Sequence, residues 1–268
     1  MQSERQYRCA LVTGASSGLG EEYARRIAPL CSVLVLVARR KELLDSLAAE
    51  ISSQQPDTEV HCITIDLTNS NEVVSLFEML SAMALSPDLL VNNAGMGDYG
   101  SFDTSEWHKI NAMMQVNVTA LTHLCHGVLP GMLSQGGGAI INVSSLASTL
   151  PIPDFAVYAA TKAYVTSFSE ALRLELKDRN IPVLAVCPGP VHTGFGKVAT
   201  REESAEALPS REGFYVTREQ VVSDSLRALH AGKARVYPGW KIAFLAGAIS
   251  LLPMAILRRA SLRRRGKI

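Results

Sequence analysis

Residues 32–38, Ser-Val-Leu-Val-Leu-Val-Ala, are apolar at every position after the first. Successive side chains of a strand point to opposite faces, so a strand of this composition must be covered on both. Antiparallel sheets commonly leave one face to water, whereas parallel sheets carry helices on both faces. The run therefore belongs inside a parallel α/β sheet. Further runs rich in apolar residues at 9–12, 60–65, 89–91, 139–143, 181–187 and 234–237 read as strands. Between them lie segments of helical periodicity at 21–27, 41–51, 70–80, 105–129, 158–177 and 218–231. Within 41–51 the expected buried stripe is Leu43, Leu44, Leu47 and Ala48. Strand and helix in alternation predict an α/β fold of Rossmann type: one doubly wound parallel sheet of about seven strands, helices on both faces. A chain of 268 residues suits one large domain, expected over 1–239.

In such sheets ligands bind at the carboxyl ends of the strands. The first strand runs into Thr13-Gly14-Ala15-Ser16-Ser17-Gly18-Leu19-Gly20 and then a helix. Glycines there let the backbone turn tightly and approach a phosphate held at the helix N-terminus. Their spacing, Gly-x-x-x-Gly-x-Gly, departs from the commoner dinucleotide fingerprint Gly-x-Gly-x-x-Gly. The second strand ends at Arg39-Arg40, where an acidic residue would accept from the ribose hydroxyl of NAD. Arginine instead pairs with the 2′-phosphate of NADP, so the expected cofactor is NADP (NADPH), with NAD as the weaker alternative. The third and fourth strands end at Asp66-Leu67 and Asn92-Asn93-Ala94-Gly95. The fifth ends at Ser144-Ser145 and the sixth at Pro188-Gly189-Pro190-Val191-His192-Thr193.

Tyr158 and Lys162 stand four residues apart, one turn from each other on one helix face. A phenol has a reference pKa of about 10, and a cation held beside it favours the phenolate. The pair is a candidate proton donor and acceptor for a carbonyl or alcohol. Asn117 falls inside the long apolar helix expected over 105–129, where an amide needs partners.

The order and spacing of these residues resemble those of a classical short-chain dehydrogenase/reductase over residues 11–238. Residues 92–195 are most similar to a large bacterial branch whose substrates are poorly defined. The resemblance implies that Tyr158 is the general acid or base, and that Lys162 lowers its pKa and holds the nicotinamide ribose. It implies that Ser145, rather than Ser144, hydrogen-bonds the substrate oxygen, and that Asn117 holds a water of a proton relay. The cofactor set so implied is Gly14, Ser16, Ser17, Gly18, Leu19, Gly20, Arg39, Arg40, Asp66 and Leu67 with Asn93, Ala94 and Gly95. It is completed by Tyr158, Lys162, Pro188, Gly189, Val191 and Thr193. The reaction implied is hydride transfer between NADP and a small carbonyl or alcohol substrate. Two competing readings are a non-catalytic NADP sensor or scaffold and an epimerase or dehydratase. The full set Asn117, Ser145, Tyr158 and Lys162 opposes the first, and the short length and glycine spacing oppose the second.

Composition bounds the remaining choices. A formal net charge of +1 gives no argument for nucleic acid. Five scattered cysteines, mostly in apolar runs, read as free thiols of a reducing compartment, the cytoplasm. His123 and His126 share a helix face without further ligands, so no metal is expected. Residues 194–217 are polar and poorly periodic, and are expected to form a substrate lid, with Met96, Phe155, Phe195 and Phe214 as candidates for an apolar pocket. Residues 240–268 form an apolar and then basic extension, whose apolar part is slightly short for a spanning helix. Two fates are open: a homo-oligomer interface, or peripheral contact with the inner membrane. The first is preferred because the apolar residues do not segregate to one face as an interfacial helix requires.

Overall fold

The computed structural model describes residues 6–199, 212–253 and 255–258. Its strands are β1 (Tyr7–Thr13), β2 (Cys31–Ala38), β3 (Glu59–Thr64), β4 (Leu89–Asn92), β5 (Ala139–Val143), β6 (Val183–Val186) and β7 (Arg235–Val236). They form one sheet in the order β3-β2-β1-β4-β5-β6-β7, with every pairing parallel. The chain builds outward from β1 to β3, then returns to the far side of β1 to lay down β4. The loops after β1 and β4 thus leave the sheet toward opposite faces, and a crevice opens between them.

The helices are α1 (Gly18–Ile27), α2 (Lys41–Gln54), α3 (Ser70–Ala82), α4 (Trp107–Met114), α5 (Leu121–Ser134), α6 (Ala156–Glu175), α7 (Phe195–Ala199), α8 (Arg218–His230) and α9 (Trp240–Leu251). Alternation along the strands sorts the core into two halves. Ala10, Val12, Leu34 and Leu36 pack with Tyr23 and Ile27 of α1, Leu44 and Leu47 of α2, and Val222 and Leu229 of α8. Cys9, Leu11, Val35 and Val37 face Leu76 of α3, Leu121 and Leu124 of α5, and Val165 and Leu172 of α6. Both faces of β2 are covered, as its composition requires.

Three local expectations need correction. Leu43 is 43% exposed, because the stripe that α2 buries is Leu44, Leu47 and Ile51, one residue wide. Helix α1 starts at Gly18 inside the glycine loop, not at Glu21. The helix expected over 105–129 runs instead from Trp107 to Ser134, and its middle turn, Gln115–Ala120, is a π-helix. Such widened turns concentrate at functional sites, and this one carries Asn117.

Helix α9 docks on the domain through Ile242, Ala246 and Ile249. No helix among the described residues is long and apolar enough to cross a membrane. Leu90 lies in the central strand β4 with no exposed surface. Replacing it with Ala removes buried methyl groups and leaves a cavity, so Leu90→Ala should lower unfolding free energy by about 3 kcal/mol in urea denaturation. A loss below about 1 kcal/mol would show that the centre of the sheet collapses onto the gap.

Candidate active site

The face that α6 turns to the sheet carries Tyr158 and Lys162, exposed by 7% and 4%. Lys162 Nζ donates to the Val143 carbonyl at the end of β5, 2.9 Å away, and lies 5.8 Å from the centre of the Tyr158 ring. Burial disfavours both charged forms. It pushes the Tyr158 phenol up to about 12, against a smaller downward pull from a hydrogen bond with Ser145. It brings Lys162 down to about 8, opposed by the neighbouring Cys187 thiol. The expected lowering of the Tyr158 pKa by Lys162 is therefore not met in the protein alone. The ammonium is turned to a carbonyl, and desolvation is the larger effect.

The two serines after β5 have different tasks. Ser144 is buried, donating to the Lys162 carbonyl at 2.8 Å and sharing a hydrogen bond with Thr166 Oγ1 at 2.7 Å. Ser145 caps the turn Leu146–Thr149, accepting from the Ala147 amide at 3.1 Å, and stays beside the phenol. Asn117 has no exposed surface. Its Oδ1 accepts from the Met96 amide at 2.8 Å, while its Nδ2 donates to the Met96 carbonyl at 2.9 Å and to Thr161 Oγ1 at 3.0 Å. Thr161 in turn donates to the Tyr158 carbonyl at 2.8 Å. The π-turn is thereby tied to both the turn after β4 and the helix of Tyr158.

The crevice between β1 and β4 holds the glycine loop. Gly14 and Gly18 have φ of +65° and +63°, left-handed values that suit glycine. A Cβ on Gly20 would fall 2.2 Å from the Gly14 carbonyl oxygen. Ser17 precedes α1 without a side-chain cap, so the first amides of that helix are available to an anion. Across the crevice, Asn93 Nδ2 donates to the Thr13 carbonyl at 3.0 Å, and Thr13 Oγ1 accepts from the amides of Asn93 and Ala94. A Cβ on Gly95 would meet Lys162 Nζ at 3.3 Å and Asn117 Oδ1 at 3.4 Å, so bare backbone there keeps room beside the lysine. These features fit a dinucleotide: an open helix N-terminus for its phosphates, and a side-chain-free approach to Lys162.

At the end of β2, Arg40 Nη2 donates to Ser16 Oγ at 2.9 Å and Ser17 Oγ at 2.7 Å, so its guanidinium lies over the glycine loop. Arg39 is exposed next to it. Asp66 Oδ1 accepts from the Thr68 amide at 2.9 Å, and the Leu67 side chain is buried in the core. After β6, the Pro188 carbonyl accepts from the Leu146 amide at 2.8 Å, which joins this turn to that of Ser145. Gly189 seats Ile242 of α9, and Thr193 lies against Gly18.

The phenol is walled by rings. Phe155 stacks on Tyr158 with centroids 4.2 Å apart, and Phe195 of α7 tilts against it at 5.6 Å. Met96, Tyr99, Met113 and Ile152 complete this cluster, whereas Phe214 belongs to the main core. The Tyr99 amide donates to the Ala199 carbonyl at 2.6 Å, holding α7 against the site. Of the expected lid, residues 200–211 lie outside the described residues. His123, weighed above for a metal, packs its ring on Phe77 at 5.7 Å. Thr13, Thr161 and Ser144 are supporting residues that sequence reasoning passed over. Thr13 abuts the glycine motif and Thr161 lies inside Tyr-x-x-x-Lys, but only packing discloses their partners.

Sheet, glycine-lined helix end and buried tyrosine–lysine pair together give an α/β protein of Rossmann type. Comparison with known proteins narrows that class. Residues 8–204 match the model of the short chain dehydrogenase family. Sulfoacetaldehyde reductase 2 of Chromohalobacter salexigens is 36% identical over 200 residues, 73% of this chain and 77% of that one. The very-long-chain 3-oxoacyl-CoA reductase of Bos taurus is 30% identical over 256 residues, 89% of this chain and 79% of that one. A solved short-chain dehydrogenase from Sphingobium yanoikuyae in complex with NADPH superposes with a TM-score of 0.79 at 32% identity, covering 91% of this chain and 92% of its own. The chain belongs to the short-chain dehydrogenase family and is an NAD(P)-dependent oxidoreductase.

Burial of Lys162 has a direct spectroscopic consequence. With its pKa near 8, the amine is charged below that pH and neutral above it. In the protein without nucleotide, the ε-carbon NMR resonance of Lys162 should titrate near pH 8, about two units below a solvated lysine. A midpoint above pH 10 would mean that water reaches the ammonium.

Proposed function

We propose that the protein is an NADPH-dependent reductase of apolar ketones or aldehydes, able to run in reverse as an alcohol dehydrogenase, with Tyr158 as its general acid and base. The observation that carries this reading is the buried Tyr158 phenol beside the Ser145 hydroxyl, on the same sheet edge as the glycine cradle. Reduction requires a proton for the substrate oxygen, and a phenol that titrates near 12 keeps that proton at neutral pH. Ser145 is the second donor to that oxygen, so two O–H dipoles meet the negative charge that develops there. Lys162, as the ammonium, would steady the phenolate left after proton transfer and hold the nicotinamide ribose. Both Asn117 N–H groups are already donated within the protein, so a relay water would rest on its remaining acceptor capacity.

Bound nicotinamide nucleotide supplies the hydride. Gly14, Ser16, Ser17, Gly18, Leu19 and Gly20 would hold its phosphates, and Asp66 and Leu67 its adenine. Asn93, Ala94 and Gly95 would line its cleft, with Pro188, Gly189, Val191 and Thr193 beside the nicotinamide. Arg40, steered over the loop by Ser16 and Ser17, supports a 2′-phosphate site with Arg39, and so NADP over NAD. The wall of Phe155, Phe195, Met96 and Met113 suits an acyl or hydrocarbon substituent. That choice accords with the name of the bovine relative better than with a small sulfonated aldehyde.

Consumption of NADPH should be followed against carbonyl compounds spanning steroids, acyl chains, sugars and quinones. Tyr158→Phe should lower turnover by about 100-fold or more while NADPH affinity stays close to that of the parent. Turnover near the parent value would remove the phenol from the reaction. NADPH binding with no turnover on any compound would favour the sensor reading.

The coenzyme assignment has its own test. Losing a charge-assisted contact costs roughly 1.5–3 kcal/mol, so Arg40→Ala should erode the preference for NADPH over NADH by about tenfold or more. An unmodified enzyme that uses NADH as efficiently as NADPH would defeat it.

A further inference from the structure

Helix α9 has two apolar faces of different fate. Ile242, Ala246 and Ile249 are buried against the domain, with Ile242 seated on Gly189. Trp240, Phe244 and Leu251 are 76%, 76% and 85% exposed. At 3.6 residues per turn these three lie within about 40° of one another around the axis, opposite the buried stripe. Exposed Gly247 and Ala248 fill the same side, and Lys241 and Ser250 flank it. Leu252 and Ile256, which follow, are 44% and 52% exposed. The sequence argument against an interfacial helix was that its apolar residues surround the axis. Docking removes that objection, because the domain takes one half and leaves a segregated apolar face outward.

The charge of the chain is divided at the same point. Of its 26 Lys and Arg residues, seven fall in 240–268, where none of the 25 Asp and Glu residues falls. The preceding 239 residues therefore hold 19 basic against 25 acidic side chains. We infer that residues 240–268 dock the enzyme on an anionic lipid bilayer. Trp240, Phe244 and Leu251 enter the interfacial layer, and Lys241 and Arg258 lie among anionic headgroups. An outward aromatic and aliphatic stripe joined to a wholly basic tail is the chemistry that such a surface recognises. A second copy of this chain would satisfy the apolar stripe, but it gives no reason for the basic residues to follow it without a single acid.

The orientation bears on the active site. Helix α9 also packs against the turn Leu146–Thr149 that follows Ser145, and Lys241 Nζ donates to the Gly213 carbonyl of the returning lid segment at 3.1 Å. A bilayer on the outer face of α9 would thus lie beside the substrate side of the cleft. Docking itself does not depend on the proposed reaction, and its test does not use turnover.

The full-length protein should be floated with vesicles of phosphatidylcholine alone and of phosphatidylcholine with phosphatidylglycerol. Binding is expected with the anionic vesicles, weakened by high salt, and about tenfold weaker in the Trp240→Ser, Phe244→Ser double variant. Sedimentation should show that this variant keeps the parent's size, and its thermal melting should match. In a Trp107→Phe background, brominated lipid should quench Trp240 fluorescence, a readout that survives even if the double variant misfolds. No flotation of the full chain, or flotation without quenching, would overturn the inference. A double variant that floats like the parent but sediments as a smaller species would assign the face to a second copy instead.

Discussion

The turn after β4 is gripped from both sides, and the geometry of the cleft depends on that grip. Thr13 Oγ1 accepts from the amides of Asn93 and Ala94, while Asn117 takes both the amide and the carbonyl of Met96. Residues 93–96 leave a parallel strand with no further ladder partners, so their backbone groups need side chains to satisfy them. Each partner comes from an element with another task. Thr13 ends the strand that feeds the glycine loop, and Asn117 sits in a π-turn that also reaches Thr161 on the helix of Tyr158. The two halves of the crevice and the helix of Tyr158 are therefore tied together by hydrogen bonds through Thr13, Asn117 and Thr161.

Burial has opposite value for the two titrating groups of that helix. It favours the protonated form of the Tyr158 phenol and weakens the hold of Lys162 on its own charge. A cation too readily neutralised would be of little use to a phenolate. At about 8, however, the lysine remains mostly charged at neutral pH. The Val143 carbonyl, which accepts from Nζ, supplies part of what water would otherwise give. The bare backbone at Gly95 leaves the other side of Nζ open, since a Cβ there would meet it at 3.3 Å.

The fold was legible from 32–38 because a strand covered on both faces has few places to go. Alternation of apolar runs with helical segments then predicted the sheet, and every strand was found within a few residues of its expected place. The polar residues that end those runs share one edge, as parallel strands require. Local patterns failed where packing chose among equivalent positions. Leu43 and Leu44 are alike in composition, yet only Leu44 faces β2. Nothing in residues 105–129 announces a π-turn, and the partners that Asn117 finds from it, Met96 and Thr161, lie elsewhere in the chain.

What the sequence determined by itself was the class of fold and a set of candidate residues at the strand ends, because periodicity and motif spacing are local properties. Tertiary structure decided how those residues are shared out. Ser144 and Ser145 are chemically identical neighbours that family spacing separates, and the approach of Thr166 and the Lys162 carbonyl shows what occupies the first. Arg39 is the residue on which the sequence rests the coenzyme choice, with Arg40 second, but the glycine loop offers Ser16 and Ser17 to Arg40. Helix α9 reads as apolar all round until Gly189 receives Ile242, after which it has an inside and an outside. In each case the deciding contact joins residues far apart in the chain, and no pattern of neighbours records it.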